Sequence, residues 1–280
     1  MSRRAVGLLG GARASAPLAA EGLGWRGASA GLARGLHASC RSSFHSSARL
    51  ARAQHLKPAD RGEVETDPMI HELRRIEIQP NQMHEFIACT ADAIPTKQEQ
   101  GAKLIGYWTT EFGEPKNSIV QIWEYSSFKQ REEVRSKLAN NSKWRKYAEM
   151  ARPMLQKDHA TIITPFDFWP LHYPEAESGI YELRTYRLNP GNVWVWASYW
   201  EQGLKHRSKY VQPVGAWYSE IGVLNRVFHL WQYPDMDKRK QLRESAWNEP
   251  GWAEVVEFTH PLIQTMESCI LKPTPFSPLK

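Results

Sequence analysis

The chain contains the same pattern of residues twice, with an offset of about 110 positions. The clearest repeats, first copy before second, are Glu72–Arg74 with Glu182–Arg184, Gly106–Trp108 with Gly215–Trp217, and Trp123–Tyr125 with Trp231–Tyr233. Rare residues that recur in the same order over about a hundred positions indicate a duplicated domain rather than the shorter repeats of a solenoid. The sequence therefore predicts two similar halves, at 68–168 and 179–280, joined by a linker at 169–178.

Each half has the same predicted order of elements. A strand pattern at 180–188 is followed by a helix, two strands, a broken helical region and a last strand, and the first half repeats this order from residue 70. This β-α-β-β-α-β order is that of the ferredoxin-like unit, in which both helices lie on one face of an antiparallel sheet. The predicted fold class is α+β, with two tandem ferredoxin-like domains packed sheet to sheet as a dimeric α+β barrel.

Side-chain alternation along the third strand of each half bears on how the sheets pack. Phe228 and Leu230 point to one face, whereas His229 and Trp231 point to the other, as Gln121 and Trp123 do in the first half. Large aromatic residues bury wide apolar areas, so a face that carries Trp123 and Trp231 should not be exposed to water. We expect this to be the helix-free face, which would then form the barrel interior.

Residues 1–60 differ in composition from the remainder. Met1 to Ser43 contain six arginines and one acidic residue, which accounts for five of the six net positive charges of the chain. An arginine-rich, serine-rich leader with few acids is typical of a mitochondrial transit peptide, and the segment Arg34–Ser39 predicts a mature start near Phe44. The almost neutral remainder argues against nucleic-acid binding. No apolar run in it approaches the length of about 20 residues that a transmembrane helix needs.

The familiar catalytic signatures are absent. The sequence has no HExxH, GxSxG, GxxxxGK[ST] or GxGxxG motif, and it predicts no metal site and no cofactor. The most pointed polar feature is a Glu-x-Arg pair in the first strand of each half, which would converge in the barrel interior. The candidate pocket comprises Glu72, Arg74, Gln121, Trp123, Glu182, Arg184, His229 and Trp231. An alternative is that the glutamates and arginines only pair with each other and fix the register of the sheet.

Two four-residue segments fit the aromatic-x-x-aliphatic form that autophagy modifiers bind by strand addition, Tyr218–Ile221 and Trp252–Val255. Both fall in predicted regular elements, where packing explains their aromatic and aliphatic residues.

From about residue 68 onwards the chain resembles the NIPSNAP family. The resemblance rests on four segments of the second half, Tyr181–Tyr186, Leu188–Gly191, His229–Tyr233 and Pro261–Ser268, and on the final Phe276–Lys280. The first half departs from the family pattern at Gln121, where histidine is usual, and at His71, where tyrosine is usual.

The resemblance implies a mitochondrial, non-enzymatic adaptor. Such a protein would be imported into the matrix by the mitochondrial import machinery, and it would stay on the outer surface of depolarised mitochondria. There it would recruit autophagy receptors and ATG8-like modifiers for mitophagy, alone or as a homo- or hetero-oligomer with related proteins. The alternative function is a small-molecule-binding protein or a cofactor-free oxygenase with its site in the barrel interior.

Overall fold

The computed structural model describes residues 69–174 and 178–280, so the predicted leader at 1–60, with its predicted mature start near Phe44, lies outside the described residues. The strands are β1 (Ile70–Ile78), β2 (Lys103–Phe112), β3 (Ser118–Tyr125), β4 (Leu155–Pro165), β5 (Ile180–Leu188), β6 (Gln212–Ile221), β7 (Arg226–Tyr233) and β8 (Ile263–Pro273). The helices are α1 (Met83–Glu99), α2 (Phe128–Asn140), α3 (Ser142–Ala151), α4 (Val193–Arg207), α5 (Met236–Ser245) and α6 (Trp252–Thr259).

The second helical region of each half is divided in two. Between α2 and α3 the chain becomes extended at Asn141, whose side chain caps α3 by accepting a hydrogen bond from the backbone N–H of Trp144 at 3.0 Å. In the second half Gly251, with φ at 87°, precedes α6 in a left-handed conformation that favours glycine. Within the two described ranges, no helix is both long enough and apolar enough to cross a bilayer.

The eight strands form one closed barrel in the order β1-β3-β2-β8-β5-β7-β6-β4, and β4 pairs with β1. Each half supplies four neighbouring strands, and the halves meet at two antiparallel seams, β2 with β8 and β4 with β6. The predicted α+β fold with a closed barrel is confirmed. The two sheets are joined edge to edge rather than stacked as separate layers, because closure pairs the strand edges that each half alone would leave exposed.

The interior of the barrel is filled mainly by aliphatic side chains, among them Leu73, Val120 and Leu230, together with a tryptophan from each half. A methyl group on Gly106 would lie 2.1 Å from the ring of Trp108, and one on Gly215 would lie 2.7 Å from the ring of Trp217. The repeated Gly-x-Trp pattern is therefore a packing requirement: each indole occupies the space that a side chain two residues earlier would need.

The helices cover the outside of the barrel, and those of each half form a separate layer with the strands beneath them. In the first layer Trp123 packs with Phe86 and Ile94 of α1, and in the second layer Trp231 packs with Trp200 of α4 and Trp252 of α6. The prediction that both strand tryptophans lie on the helix-free face is therefore wrong. Alternation separates the two faces of a strand but does not say which one points inward. The narrow barrel takes mainly aliphatic side chains, and the space beneath the helices takes the larger aromatic ones.

The final residues close one end of the barrel. Leu279 is buried among the interior side chains, and the backbone carbonyl of Lys280 accepts hydrogen bonds from the Tyr181 hydroxyl at 2.8 Å and the Gln232 amide at 3.1 Å. At the other end the interior widens into a cavity of about 450 Å³ that Arg75 and Phe228 help to line. None of the eight predicted site residues lines this cavity.

Candidate functional site

The eight predicted site residues lie outside the barrel, between the sheet and the helices, so their predicted position in the barrel interior is wrong. Glu72 accepts a hydrogen bond from Arg131 of α2 at 2.9 Å, and Glu182 accepts one from Arg239 of α5 at 2.7 Å. Helices that reach these carboxylates must cover the strand face that carries them. The residues whose predicted position is corrected in this way are Glu72, Arg74, Gln121, Trp123, Glu182, Arg184, His229 and Trp231.

The six arginine, amide, histidine and tryptophan side chains of this set line two separate cavities, one in each half. The first-half pocket, of about 170 Å³, is lined by Arg74, Gln121 and Trp123, with α1 and α3 above them. The second-half pocket, of about 180 Å³, is lined by the equivalent Arg184, His229 and Trp231, with α4 and α6 above them. The duplication therefore produces two related sites of different chemistry instead of one shared site.

In the second half the glutamate of the Glu-x-Arg pair holds its arginine in place. Glu182 is fully buried and accepts hydrogen bonds from Arg184 at 3.0 Å, from Arg239 and from Ser268 at 2.7 Å. Burial alone would raise the pKa of Glu182, but the Arg239 hydrogen bond and the charges of Arg184 and Arg243 outweigh it and lower that pKa. A carboxylate kept ionised by this many donors is a positioning group and a poor proton carrier at neutral pH.

His229 is the most unusual side chain in the second-half pocket. It is fully buried, and its Nδ1 atom lies 2.7 Å from the indole nitrogen of Trp231. An indole N–H can only donate, so Nδ1 must be the acceptor and the imidazole proton lies on Nε2. Burial, followed by the charge of Arg184, lowers the pKa of His229 well below its ordinary value, which keeps the ring neutral. Among the described residues Nε2 has no hydrogen-bond partner, so the pocket contains an unused buried donor.

Aromatic rings hold this imidazole in position. The ring of Tyr186 lies edge-on to it with centroids 4.8 Å apart, and the ring of Trp200 lies 5.0 Å away. Trp169, from the predicted linker, packs against Trp231 with centroids 4.7 Å apart. The unpartnered Nε2–H is therefore fixed in an apolar, aromatic surrounding, where a hydrogen bond to a ligand would be stronger than in water.

Arg207, at the end of α4, adds a buried positive charge to the same pocket. Its guanidinium lies 5.8 Å from the ring of Trp231 and 5.5 Å from that of Trp252, and one of its nitrogens lies 3.4 Å from the Tyr233 hydroxyl. No carboxylate of the described residues forms an ion pair with it. Because Arg184 and Arg243 share Glu182, the pocket retains excess positive charge, and an anion would complement it.

The first-half pocket keeps the architecture but changes the chemistry. Gln121 replaces the histidine, and its carbonyl oxygen accepts the indole N–H of Trp123 at 2.5 Å. Lys97, at the end of α1, occupies the position equivalent to Arg207. Within the described ranges, no group of three or more histidine, cysteine or carboxylate side chains is arranged to hold a metal ion in either half.

Four functional residues were not assigned a role by sequence reasoning. Arg131 and Arg239 were visible only as repeated residues, and Lys97 and Arg207 carry different residue types. All four follow the duplication. Arg131 and Arg239 share the offset of the strands next to them, and Lys97 and Arg207 share the offset of the Glu-x-Arg pairs. A comparison of charged residues at equivalent positions on the helices would have found them.

An eight-stranded α+β barrel with a helix-covered pocket in each half is the architecture of the dimeric α+β barrel proteins, formed here by one chain. The NIPSNAP family model matches residues 71–170 and 181–278. The chain belongs to the NIPSNAP family.

Similar proteins support both the family assignment and the barrel fold. Protein NipSnap homolog 2 of Danio rerio is 39% identical over 67% of this chain and 65% of its own length, and the human homolog 2 is 33% identical over 75% of each. The chain thus spans about two thirds to three quarters of these relatives. A protein of Fusobacterium nucleatum provisionally named a monooxygenase shares the fold, with a TM-score of 0.57 and 11% identity over 76% of this chain and 94% of its own.

Proposed function

We propose that the protein binds a small carboxylate with an apolar body in the second-half pocket. The observation that carries this proposal is the buried Nε2–H of His229, which has no partner among the described residues and belongs to a side chain that lines a cavity together with Trp200 and Trp231. Arg207 supplies the charge complement, and the indole rings supply an apolar surface for the rest of the ligand.

The tautomer of His229 favours binding over proton abstraction. Its Nδ1 lone pair is already engaged by Trp231, and Nε2 carries the proton, so neither nitrogen is free to accept a proton from a bound molecule. The cofactor-free oxygenase alternative needs such a base. A donor next to unpaired positive charge suits the stabilisation of an anion instead.

Binding of phenylacetate, compared with its neutral isostere phenylacetamide, tests this proposal by calorimetry and thermal shift. We expect phenylacetate alone to raise the melting temperature, since a ligand that binds only the folded state stabilises it. Arg207→Met should weaken binding by about 10- to 150-fold, the equivalent of a charged hydrogen bond worth about 1.5 to 3 kcal/mol. His229→Leu, which removes the Nε2–H donor, should weaken it by about 2- to 12-fold, the equivalent of an ordinary hydrogen bond worth about 0.5 to 1.5 kcal/mol.

The matched control is Lys205→Met, which removes an exposed lysine two residues before Arg207 and should leave phenylacetate affinity unchanged. Equal affinity for phenylacetate and phenylacetamide, or full affinity in Arg207→Met, would overturn the proposal.

We further propose the mitochondrial location and the adaptor role that the family resemblance implies, with autophagy receptors and ATG8-like modifiers as partners. The leader composition supports import, and the turn between β6 and β7 offers a contact surface, with Val223 46% and Leu224 56% exposed. The segment Trp252–Val255 is a poor candidate for strand addition because both of its end residues are buried in α6.

Receptor recruitment to depolarised mitochondria tests this second role. Val223→Ser combined with Leu224→Ser should abolish recruitment, whereas Met150→Ser, which removes an equally exposed methionine of α3, should not. Arg207→Met should also recruit normally, which separates the adaptor role from ligand binding. Replacement of the leader arginines with glutamine should leave an uncleaved precursor outside mitochondria, and normal processing of that variant would refute the leader assignment.

A further inference from the structure

Lys97 is a buried lysine that has no ion-pair partner among the described residues. It lies in the last turn of α1, is 6% exposed, and forms neither a hydrogen bond nor an ion pair with the described residues. Its Nζ atom lies 3.6 Å from the centroid of the Trp123 ring and 5.8 Å from that of Tyr125. A buried ammonium group normally has a carboxylate within hydrogen-bond distance, and this one does not.

The charges that face Lys97 come from two elements packed against α1. Glu72 of β1 favours its charged form, but that carboxylate is already bound to Arg131, while Arg74, Arg131 and Arg135 oppose the charged form. Burial is the largest effect, and together these effects lower the pKa of Lys97 to about 7. At neutral pH the uncharged amine is therefore far more common at this position than at an exposed lysine.

The amine faces a cavity that can admit a small molecule. Lys97, Arg74 and Gln121 line the first-half pocket together with the apolar Ile76, Phe86 and Ile94. The Arg74 side chain, which helps to line this pocket, is 26% exposed. A nucleophile at the base, polar groups beside it and apolar walls suit a small carbonyl compound with an apolar body.

We propose that the first-half pocket captures small aldehydes or ketones through an imine with Lys97. The Nζ lone pair attacks the carbonyl carbon, the carbonyl oxygen takes up a proton to give a carbinolamine, and loss of that oxygen as water leaves a carbon–nitrogen double bond. Both amine hydrogens leave in the water, so the step needs neither an oxidant nor a reductant. Arg207, at the equivalent position of the second half, cannot perform this step because its guanidinium remains protonated.

Benzaldehyde with sodium cyanoborohydride at pH 7 tests the proposal, because the reagent reduces an imine to a stable secondary amine. Exposed lysines of ordinary pKa are about 0.04% uncharged at this pH, so the amine of Lys97 is available about a thousandfold more often. We expect Lys97 to be the fast-labelled lysine by peptide mapping, and the α-amino group, whose ordinary pKa is about 7.7 to 8.0, to be labelled as a separate and distinguishable site. Lys129 and Lys137, both exposed on α2, are controls within the same molecule.

Lys97→Arg is the matched variant, since it keeps a cation and introduces the residue of the other half. It should lose the fast-labelled site and retain the slow labelling of exposed lysines. Labelling of Lys129 and Lys137 as fast as Lys97, or labelling of Lys97 only after denaturation, would overturn the proposal. His229→Gln should label at Lys97 like the unmodified chain, so the two pockets are tested independently.

Discussion

Removal of the charge of Glu182 should destabilise the protein much more than the same change at Glu72. Glu182 is fully buried and accepts hydrogen bonds from three arginines and a serine, whereas Glu72 retains slight exposure and one short bond, from Arg131. In Glu182→Gln, an amide group would face guanidinium donors, and buried positive charge would remain uncompensated. We expect a loss of about 3 to 5 kcal/mol for Glu182→Gln and about 1 to 3 kcal/mol for Glu72→Gln.

Chemical denaturation followed by tryptophan fluorescence measures this difference. For a chain region of this size, 4 kcal/mol corresponds to a fall in melting temperature of about 8 to 16 °C. Equal losses for Glu182→Gln and Glu72→Gln, or losses below about 1 kcal/mol for both, would refute the view that Glu182 anchors the second half electrostatically.

The pH dependence provides a second check on Glu182. Its pKa is lowered in the folded state, so the unfolded state binds more protons as acid is added. Its contribution to stability is therefore present above the ordinary pKa of 4.5 and is lost as the pH falls through the folded value. Glu182→Gln should show a shallower loss of stability below pH 4.5, and an unchanged acid limb would contradict this assignment.

Three further predictions follow from the packing. Trp123→Ala and Trp231→Ala should each cost about 3 to 5 kcal/mol in denaturant unfolding and should add within about 0.5 kcal/mol, because they lie in different layers; strong coupling would contradict that separation. Gly215→Ala should cost about 1 to 3 kcal/mol and should be partly rescued by Trp217→Phe; without rescue, the indole is not the clashing group. Stability should rise between pH 7 and 10.5, by up to about 1.4 kcal/mol per unit, through deprotonation of Lys97, and Lys97→Met should lose this rise in parallel urea melts.

Local sequence patterns were enough to predict the order of elements. Strand alternation from Ile180 and the break at Asn189-Pro190-Gly191 are local signals, and the first copy has corresponding signals from Ile70 and at Pro80, so errors in one half could be checked against the other. The position of the break in the first half's helical region, at Asn141, was not predicted, because the capping contact at that point is a single side-chain hydrogen bond.

For the candidate site, the sequence indicated which side chains lie on the same face of the sheet, but it placed that face on the wrong side of the barrel wall. Arg184, His229 and Trp231 do line one cavity, as their common strand face predicted. Which face points inward depends on barrel closure and on the volume beneath the helices, and neither is encoded in alternation. Lys97 and Arg207 were missed because a lone cation near the end of a helix is usually a solvated residue, and only tertiary packing buries these two.

The two seams between the halves allow the pockets to differ. Two separate copies of one half would form a symmetric pair, and each residue change would then appear in both pockets. Fusion in one chain makes the association intramolecular, so its strength no longer depends on protein concentration. Each half can then specialise while β2 with β8 and β4 with β6 keep the barrel closed. The Gln121 and His229 pair is such a divergence, and it gives one barrel two pockets with different lining residues, which a symmetric assembly could not contain.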